Sequence, residues 1–371
     1  MIMDNTYVYV AGASSRACTT KEYLESLFPN LKVKAFLVSP EMNDNPEEVC
    51  GIPVLKVAGN GPNDYGIDTG LRVYISTRGV NHGKLTMELL AAGFLKELVI
   101  PVTPELDIKL RNQYMKMMFS QQGRGFVKVD ELISKETVSE NKNNVRVYVA
   151  KSAVDHPLGQ DVPLMEYERI IQVGRALADR DIAGCDVFDD TGENISLRNR
   201  QFSELTGLYW LWKNAKDDVI GLEHYRRRFT LPDGWQTLFE ENECDVILPV
   251  PLYVAPNLQD NYLFRHDHRP WEAMMQLVKT DQAMYDAAVG FFSSNGCFSP
   301  CNMMIVRREV LEDLCFWLFP ILLGAADEVG TLDDSYQNRY CGFLSERMIS
   351  FFFYYNRDRY KVVYADKSFL G

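Results

Sequence analysis

Residues 217–229 read DDVIGLEHYRRRF, an apolar run that is followed at once by an acid, a histidine and three arginines. Residues 218–222, which are apolar from Val219 onward, predict a short buried strand. In open α/β sheets, ligands bind in the crevice beyond the carboxyl ends of the strands. The stretch therefore predicts an α/β fold with a ligand site beside Glu223, His224 and the arginines at 226–228.

The arginines indicate what kind of ligand this site accepts. A guanidinium matches paired phosphate oxygens, so arginines at a strand end suit a diphosphate. Glu223 and His224 are candidates for ligating a divalent metal or for orienting a hydroxyl group. The alternative is that the arginines form a solvated surface, and their direct succession to a buried strand argues against it.

Strand-like runs alternate with helical patterns on both sides of this stretch, and such alternation predicts a parallel sheet. In the first part, strand-like runs at 6–11, 33–38, 54–57, 71–76 and 98–102 accompany helical patterns at 17–28, 82–92 and 104–118. A second series begins with the strand VRVYVA at residue 145 and includes predicted helices at 165–177, 202–213, 309–323 and 341–355. The fold prediction is α/β throughout, with a small Rossmann-like parallel sheet in residues 1–120, a linker in 121–144 and a second α/β domain in 145–371.

Composition and charge narrow the class of protein. The 371 residues carry a formal net charge of -12, which disfavours broad nucleic-acid binding because that requires a basic surface. The first residues lack a signal-peptide pattern, and the most apolar windows fall short of the ~20 residues that a membrane span requires. We expect a cytoplasmic protein, with peripheral contact to the inner membrane surface still open.

The cysteines and histidines give only weak metal signals. Of eight cysteines, only Cys297 and Cys301 are close in sequence, and no second pair completes a zinc site, so free thiols are favoured. The run His266-Asp267-His268 is a candidate metal site, although an exposed charged loop is the favoured interpretation. Dependence on Mn²⁺ or Mg²⁺ therefore stays open.

The loop after the first strand reads AGASSR at residues 11–16. A dinucleotide site requires Gly-x-Gly-x-x-Gly so that the backbone approaches the pyrophosphate, and only Gly12 is present. We therefore do not expect NAD binding. The stretches YVYVAGAS (7–14) and AFLVSPEMNDNPEEVCGIPVLKV (35–57) resemble the small Rossmann-like domains at the front of sugar acyltransferases, which implies a sugar-pathway context.

The predicted helix around residues 203–214 has two faces. One is apolar, whereas Ser203, Thr206, Trp210, Lys213 and Asn214 share the other. A flat indole beside hydrogen-bonding groups suits a face that lines a ligand cleft. The alternative is that Trp210 packs against a neighbouring element.

Four blocks carry a family resemblance: SELTGLYWLWKN (203–214), IGLEHYRRRF (220–229), CNMMIVRRE (301–309) and CGFLSERMISFFF (341–353). In order and spacing they resemble the glycosyltransferases of capsular polysaccharide and O-antigen biosynthesis, over residues 145–366. The resemblance implies a GT-A-like domain. It also implies transfer of galactofuranose or galactose, with inversion, from a UDP-sugar to a glycan or lipid-linked acceptor.

The resemblance also implies particular site residues. An inverting transferase requires a carboxylate base, for which Glu346 is the first candidate and Asp333 and Asp334 follow; a plain salt-bridge role is the alternative for Glu346. Departures from the family pattern at 151–152 and 266–272 leave the sugar and the acceptor open. The implied donor-binding residues are Lys151, Tyr167, Gln172, Asn199, Ser203, Lys213, Asn214, His224, Tyr225, Arg226, Arg227, Asn302 and Arg347. Trp210 joins this prediction from the two-faced helix described above.

Two other functions remain as alternatives. One is a non-catalytic sugar-binding or assembly factor of polysaccharide biosynthesis that docks through its first module. The other is an NAD-dependent sugar-modifying enzyme, against which the missing glycines count.

Overall fold

The structure is a computed structural model that describes residues 6–57, 66–77, 79–133, 144–159 and 162–370. The chain divides into two compact units. The first comprises Met1–Gly125 and Tyr253–Pro256, and the second comprises Phe126–Leu252 and Asn257–Gly371. Each unit contains a sheet and helices, so the predicted α/β class is confirmed.

The first unit contains a six-stranded sheet of order β3-β4-β2-β1-β5-β6. All neighbouring strands are parallel except β3, which pairs antiparallel with β4. The strands are β1 (Thr6–Ala11), β2 (Leu31–Val38), β3 (Glu48–Val49), β4 (Ile52–Lys56), β5 (Arg72–Ile75) and β6 (Val99–Pro101), and the helices are α1 (Ser15–Leu27), α2 (His82–Ala91) and α3 (Pro104–Gln121).

Alternate residues of these strands form the core of the first unit, with Tyr9, Leu37, Val73 and Ile75 all buried. Gly12, directly after β1, has a φ of 122°, and a Cβ there would lie 2.8 Å from the Ser76 carbonyl oxygen. The glycine is therefore required by the close approach of two loops at the strand ends.

The second unit contains an eight-stranded sheet of order β11-β16-β12-β15-β10-β7-β8-β9. Its strands are β7 (Val145–Lys151), β8 (Glu168–Gln172), β9 (Val187–Phe188), β10 (Val219–His224), β11 (Arg227–Thr230), β12 (Val246–Pro249), β15 (Met304–Arg307) and β16 (Val362–Phe369), with the short strands β13 (Leu252–Tyr253) and β14 (Cys297–Phe298) outside this sheet. Its helices are α4 (Val129–Leu132), α5 (Asn199–Phe202), α6 (Leu205–Asn214), α7 (Thr237–Glu240), α8 (Leu258–Arg265), α9 (His268–Val278), α10 (Gln282–Ser294), α11 (Arg308–Val329) and α12 (Tyr340–Tyr355).

Strand directions in this sheet determine where a ligand site forms. β10, β7, β8 and β9 run parallel to one another, whereas β15 pairs antiparallel with β10 on the other side. The carboxyl ends of β7, β8 and β10 therefore meet at one edge of the sheet. At the centre of β10, a Cβ on Gly221 would lie 2.8 Å from the Val147 side chain, so the glycine lets β7 and β10 side chains pack without a clash.

The predicted helix over 165–177 is wrong, because residues 168–172 form β8. Ile170 and Ile171 pair with Val149 and Ala150 of β7, and β-branched residues favour such a half-buried pleated position over a helix. Part of the predicted linker also packs on the second unit: Phe126 stacks on Tyr364 at 5.1 Å, and Lys128 forms a β-bridge with the same residue. Residues 134–143 of that linker lie outside the described residues.

α11 spans 22 residues and contains Pro320. Across the described ranges, none of the helices combines the length and the apolarity that crossing a membrane requires.

Candidate functional site

A cleft of about 680 Å³ opens at the edge of the sheet where β7, β8 and β10 end. Ala150 and Ser152 line it from the end of β7, Val173 from the end of β8, and His224 from the end of β10. The facing walls are formed by α5, by the segment between α5 and α6 and by the turn before α12. They contribute Asn199, Arg200, Ser203, Glu204, Ser335, Asn338 and Arg339.

The lining is rich in charge. Arg200, Arg226, Arg227 and Arg339 approach the cleft from three separate segments. Within the described ranges, Arg200, Arg226 and Arg227 form no ion pair closer than 4.0 Å, and the buried Nε of Arg226 has no hydrogen-bond partner. These guanidinium groups are thus held at the cleft without a direct ion pair, although the lining carboxylate Asp155 lies near Arg226.

A two-residue turn aims Arg226 and Arg227 at the cleft. His224 pairs with Arg227, so Tyr225 and Arg226 form the turn between β10 and β11. The backbone N–H of Leu370 donates to the Arg226 carbonyl oxygen at 2.8 Å. The Arg226 guanidinium lies 5.2 Å from the centre of the Tyr225 ring, and aromatic contact of this kind restrains the side chain.

The third arginine of the run points elsewhere. Arg228 forms a 2.9 Å ion pair with the buried Glu168, and it also donates to the backbone oxygens of Val162 and Pro163. Glu223 is buried too, and its Oε1 accepts from the Phe229 N–H at 2.7 Å. Glu223 and Arg228 therefore anchor the β10–β11 turn on the side away from the cleft, and neither residue lines the cleft.

Burial raises the pKa of Glu223 to about 8, and the neighbouring Glu168 carboxyl adds to the shift. One guanidinium faces two carboxyls here, so the cluster is neutral only when one carboxyl keeps a proton. The metal-ligand and hydroxyl-orienting roles considered for Glu223 do not fit this environment, since its side chain is 1% exposed.

Asp155 is a lining carboxylate that the sequence analysis missed. Its Oδ2 accepts from the Ser152 N–H at 2.7 Å, which positions it just beyond the end of β7. Burial raises the pKa of this carboxyl, while nearby Arg226 and His224 oppose the shift. A partly buried carboxylate with raised proton affinity beside cationic groups is a candidate proton acceptor.

Glu204 is the second lining carboxylate, and Asn302 holds it. The Asn302 Nδ2 donates to Glu204 Oε1 at 2.7 Å and to the Gly342 carbonyl oxygen at 3.1 Å. Ser345 Oγ donates to the Asn302 Oδ1 at 2.7 Å. Asn302, predicted to bind the donor, is 2% exposed and acts here by fixing Glu204.

His224 and Glu346 meet through Cys301. The His224 Nε2 lies 2.6 Å from the Cys301 carbonyl oxygen and 3.7 Å from Glu204 Oε1. The Cys301 N–H donates to Glu346 Oε1 at 2.5 Å. Burial raises the pKa of Glu346, with Arg347 and the Cys301 N–H opposing it. Glu346 therefore lies behind Cys301, and it is not among the residues that line the cleft.

Backbone strain is concentrated around this network. Ser203, Cys301 and Asn302 have φ values of 51°, 77° and 51°, in the left-handed region that residues other than glycine rarely adopt. Such conformations cost about 1–3 kcal/mol each and cluster at functional sites. The strained residues here place Glu204, His224 and Glu346 around one another.

Several other predicted donor-binding residues have different places. Both ends of the Gln172 amide bind the backbone of Arg180 and Ile182. Tyr167 packs edge-on against Trp235, and burial raises its pKa to about 12. Lys151 lines a neighbouring pocket of about 410 Å³.

The helix face of Trp210, Lys213 and Asn214 does not line the cleft. The Trp210 Nε1 donates to Thr191 Oγ1 at 2.9 Å, Lys213 Nζ lies 3.1 Å from Glu193 Oε1, and Asn214 Nδ2 donates to the Glu193 carbonyl oxygen. The polar face thus forms hydrogen bonds and an ion pair with the loop at 191–193, and the prediction that it lines the cleft is wrong. Of the residues predicted to share this polar face, Ser203 alone is in the cleft lining.

The remaining candidates lie at the rim or in the core. Arg347 is buried between the rings of Tyr262 and Phe298 and donates to Asn261 Oδ1 at 3.2 Å. Asp334 Oδ1 accepts from the N–H groups of Tyr336 and Gln337, and Asp333 is exposed beside it. Neither aspartate lines the cleft.

The His-Asp-His run is occupied by local contacts. His266 stacks on Phe343 at 4.3 Å, and burial lowers its pKa to about 4. Asp267 pairs with Arg269 and caps α9, while His268 contacts the Leu263 carbonyl oxygen. Within the described ranges, no group of three or more His, Cys, Asp or Glu side chains is placed to hold a metal ion.

The fold and the cleft define an α/β protein with a candidate ligand site that is lined by arginines and carboxylates. A family model described as a domain of unknown function, DUF4422, matches residues 154–357, more than half of the chain, and the chain belongs to this family. No curated protein matches it.

Among solved structures, the chain is similar to the apo structure of WbbM, a bifunctional glycosyltransferase, with a TM-score of 0.52 and 24% identity. The match covers 62% of this chain and 46% of the WbbM chain, so this chain spans about half the length of that protein. At this identity, the similarity shows a shared fold.

Replacing Arg228 with Ala should lower the free energy of unfolding by about 3–5 kcal/mol, because it leaves the buried Glu168 without its partner. Replacing Arg226 with Ala should change it by less than about 1 kcal/mol, since Arg226 has no ion pair to lose. Chemical denaturation of both variants measures the difference. Equal losses would contradict the division between a fastening and a ligand-facing arginine.

The pH dependence of stability should report on Glu223. Its pKa of about 8 in the folded protein exceeds the usual 4.5, so the folded state keeps a proton that the unfolded chain has released. This contribution is complete below the unfolded pKa and is lost as the pH rises through the folded pKa. Glu223→Gln, which is neutral at every pH, should lose less stability than the wild type between pH ~5 and ~8. Parallel stability curves for the two proteins would refute this assignment.

Proposed function

We propose that the protein is a glycosyltransferase that takes a sugar, galactofuranose or galactose, from a UDP-sugar and adds it to a growing cell-surface polysaccharide. The acceptor is a glycan or a lipid-linked glycan, and the reaction belongs to the cytoplasm or the inner membrane surface. One observation carries the proposal: arginines that the protein leaves without ion pairs converge with two carboxylates in one cleft at the strand ends.

The arginines supply the donor half of the site. Arg226 and Arg227 bind the diphosphate from the β10–β11 turn, and Arg200 and Arg339 approach from the facing wall. The chain as a whole carries a net charge of -12, so this local excess of positive charge does not follow from general basicity. Planar guanidinium groups pair with phosphate oxygens and stabilise the charge that develops on a departing diphosphate.

The carboxylates supply the acceptor half. In an inverting transfer, the acceptor oxygen bonds to the anomeric carbon while the bond from that carbon to the UDP oxygen breaks. The acceptor proton passes to a carboxylate, and UDP leaves with the bonding electron pair. We assign the base to Asp155, because the Ser152 N–H holds it at the cleft and burial raises its proton affinity.

Glu204 is the second choice for the base. Its Oε1 already accepts a hydrogen bond from Asn302 at 2.7 Å and lies 3.7 Å from His224 Nε2, so this oxygen is engaged within the protein. Glu346, the first candidate from the sequence, is not assigned as the base here. Its Oε1 accepts from the Cys301 N–H, and the residue does not line the cleft. The similarity in fold to WbbM, a bifunctional glycosyltransferase, supports the reaction class.

UDP and UDP-galactose should raise the melting temperature of the full-length protein, tested with and without Mn²⁺. A ligand that binds only the folded state stabilises it by ~2.7 kcal/mol at 100 times its Kd. Arg226→Ala and Arg227→Ala should remove the shift. Arg357→Ala is the matched control, because Arg357 is exposed and absent from the cleft lining, and it should keep the shift. No shift in the wild type under any condition would overturn the donor assignment.

Asp155→Asn should retain the UDP-induced shift and lose turnover by ~10²–10⁴-fold, because it removes the base and spares the arginines. Release of UDP from UDP-galactose in the presence of synthetic galactoside acceptors measures turnover, and Glu204→Gln is run in parallel. Wild-type turnover in Asp155→Asn together with a loss in Glu204→Gln would move the base to Glu204.

A further inference from the structure

Two thiols distant in sequence meet in the first unit. Cys18 and Cys50 are 32 residues apart, and their Sγ atoms lie 2.6 Å from each other. Cys18 is in the first part of α1, and Cys50 is in the turn between β3 and β4. Both are free cysteines, and Cys50 is exposed while Cys18 is partly buried.

The separation allows direct bond formation. At 2.6 Å no other atom fits between the two sulfurs, and a disulfide bond of about 2.05 Å requires only a small further approach. Cys50 is an exposed residue, so a small oxidant in solution can approach it. The pair therefore has the two features that disulfide formation requires, proximity and access.

The backbone at Cys50 is a second, independent observation. Val49 pairs with Ile52, so Cys50 and Gly51 form a two-residue hairpin turn, with φ values of 51° and 72°. Turns with two left-handed residues favour Asn-Gly or Gly-Gly, and a cysteine in the first position carries a backbone cost. The turn itself does not require a thiol, whereas its conformation points this thiol at Cys18.

We propose that Cys18 and Cys50 form a redox-sensitive dithiol site. Peroxides oxidise this site to a disulfide bond that links α1 to the β3–β4 hairpin. This site is independent of the proposed transferase activity. Its substrate class is a small hydroperoxide, and dithiols reopen it by thiol–disulfide exchange.

The oxidation balances in two steps. The Cys50 thiolate attacks hydrogen peroxide, an S–O bond forms, the O–O bond breaks, and the leaving hydroxide takes a proton to become water. Cys18 then loses its proton and attacks the Cys50 sulfenic acid, so that the S–S bond forms, the S–O bond breaks and a second water leaves. Two thiols lose two electrons, and one peroxide gains them. Burial raises the pKa of Cys18 to about 12, which suits the second thiol rather than the first.

Oxidation of the full-length wild type tests the proposal directly. The reduced protein is treated with hydrogen peroxide, free thiols are alkylated, and tryptic peptides are mapped by mass spectrometry. We expect one cross-linked peptide pair that joins Cys18 to Cys50, loss of their alkylation, and recovery of both after dithiothreitol. The melting temperature should rise on oxidation and return on reduction, because the cross-link restricts the unfolded chain.

Single variants separate the two thiols. In Cys18→Ser, peroxide oxidation should stop at a Cys50 sulfenic acid, which dimedone traps. In Cys50→Ser, Cys18 should stay reduced. Circular dichroism checks that both variants are folded. Alkylation of both cysteines in folded, peroxide-treated wild type would overturn the proposal. A disulfide that joins either cysteine to a different residue would overturn it as well.

Discussion

The buried ion pair between Arg228 and Glu168, with Glu223 beside it, is the interaction on which the candidate site depends. It lies behind the β10–β11 turn, and Glu223 also accepts from the Phe229 N–H. The Arg228 side chain is 11% exposed and that of Glu168 is 3% exposed, so removing either partner leaves a largely buried charge without its counter-charge. Because Arg228 is fastened here, the turn before it presents Arg226 and Arg227 to the opposite side, where the cleft opens.

A second constraint acts from the other wall. The left-handed backbone at Cys301 and Asn302 is maintained by the Glu346 carboxylate, the His224 ring and the Ser345 hydroxyl. In return, Asn302 fixes Glu204 at the cleft surface. The result is a site that brings unpaired cations and partly buried carboxylates together. That combination is costly for a protein without a ligand and useful for transferring a group from a diphosphate.

The sequence was sufficient to predict those site residues that directly follow a strand in the chain. An apolar run followed by His224, Tyr225, Arg226 and Arg227 indicated both β10 and its ligand-facing end, and these residues do line one cleft with Asn199 and Ser203. The sequence was insufficient where a polar side chain has a partner far along the chain. Trp210 and Asn214 donate hydrogen bonds to the loop at 191–193, and the helical periodicity of the sequence cannot predict these contacts.

The same limit explains the missed residues. Asp155 stands in an ordinary polar context, and the parallel pairing of β7 with β10 brings it to the arginines. Glu204 is held at the cleft by Asn302, which is 98 residues away in the chain. Cys18 and Cys50 lack a sequence motif because a helix and a hairpin bring them together. Residues 168–172 were misread as helix because two isoleucines fit either period, and pairing with β7 decides between them.

Isothermal titration calorimetry with UDP and with uridine tests the central claim most directly, since the two differ only in the diphosphate that the arginines are assigned to bind. The account predicts saturable heat with UDP, weakening as salt is raised, and far weaker binding of uridine. Equal affinity for the two compounds, or no heat with UDP, would contradict a cleft built to hold a sugar diphosphate.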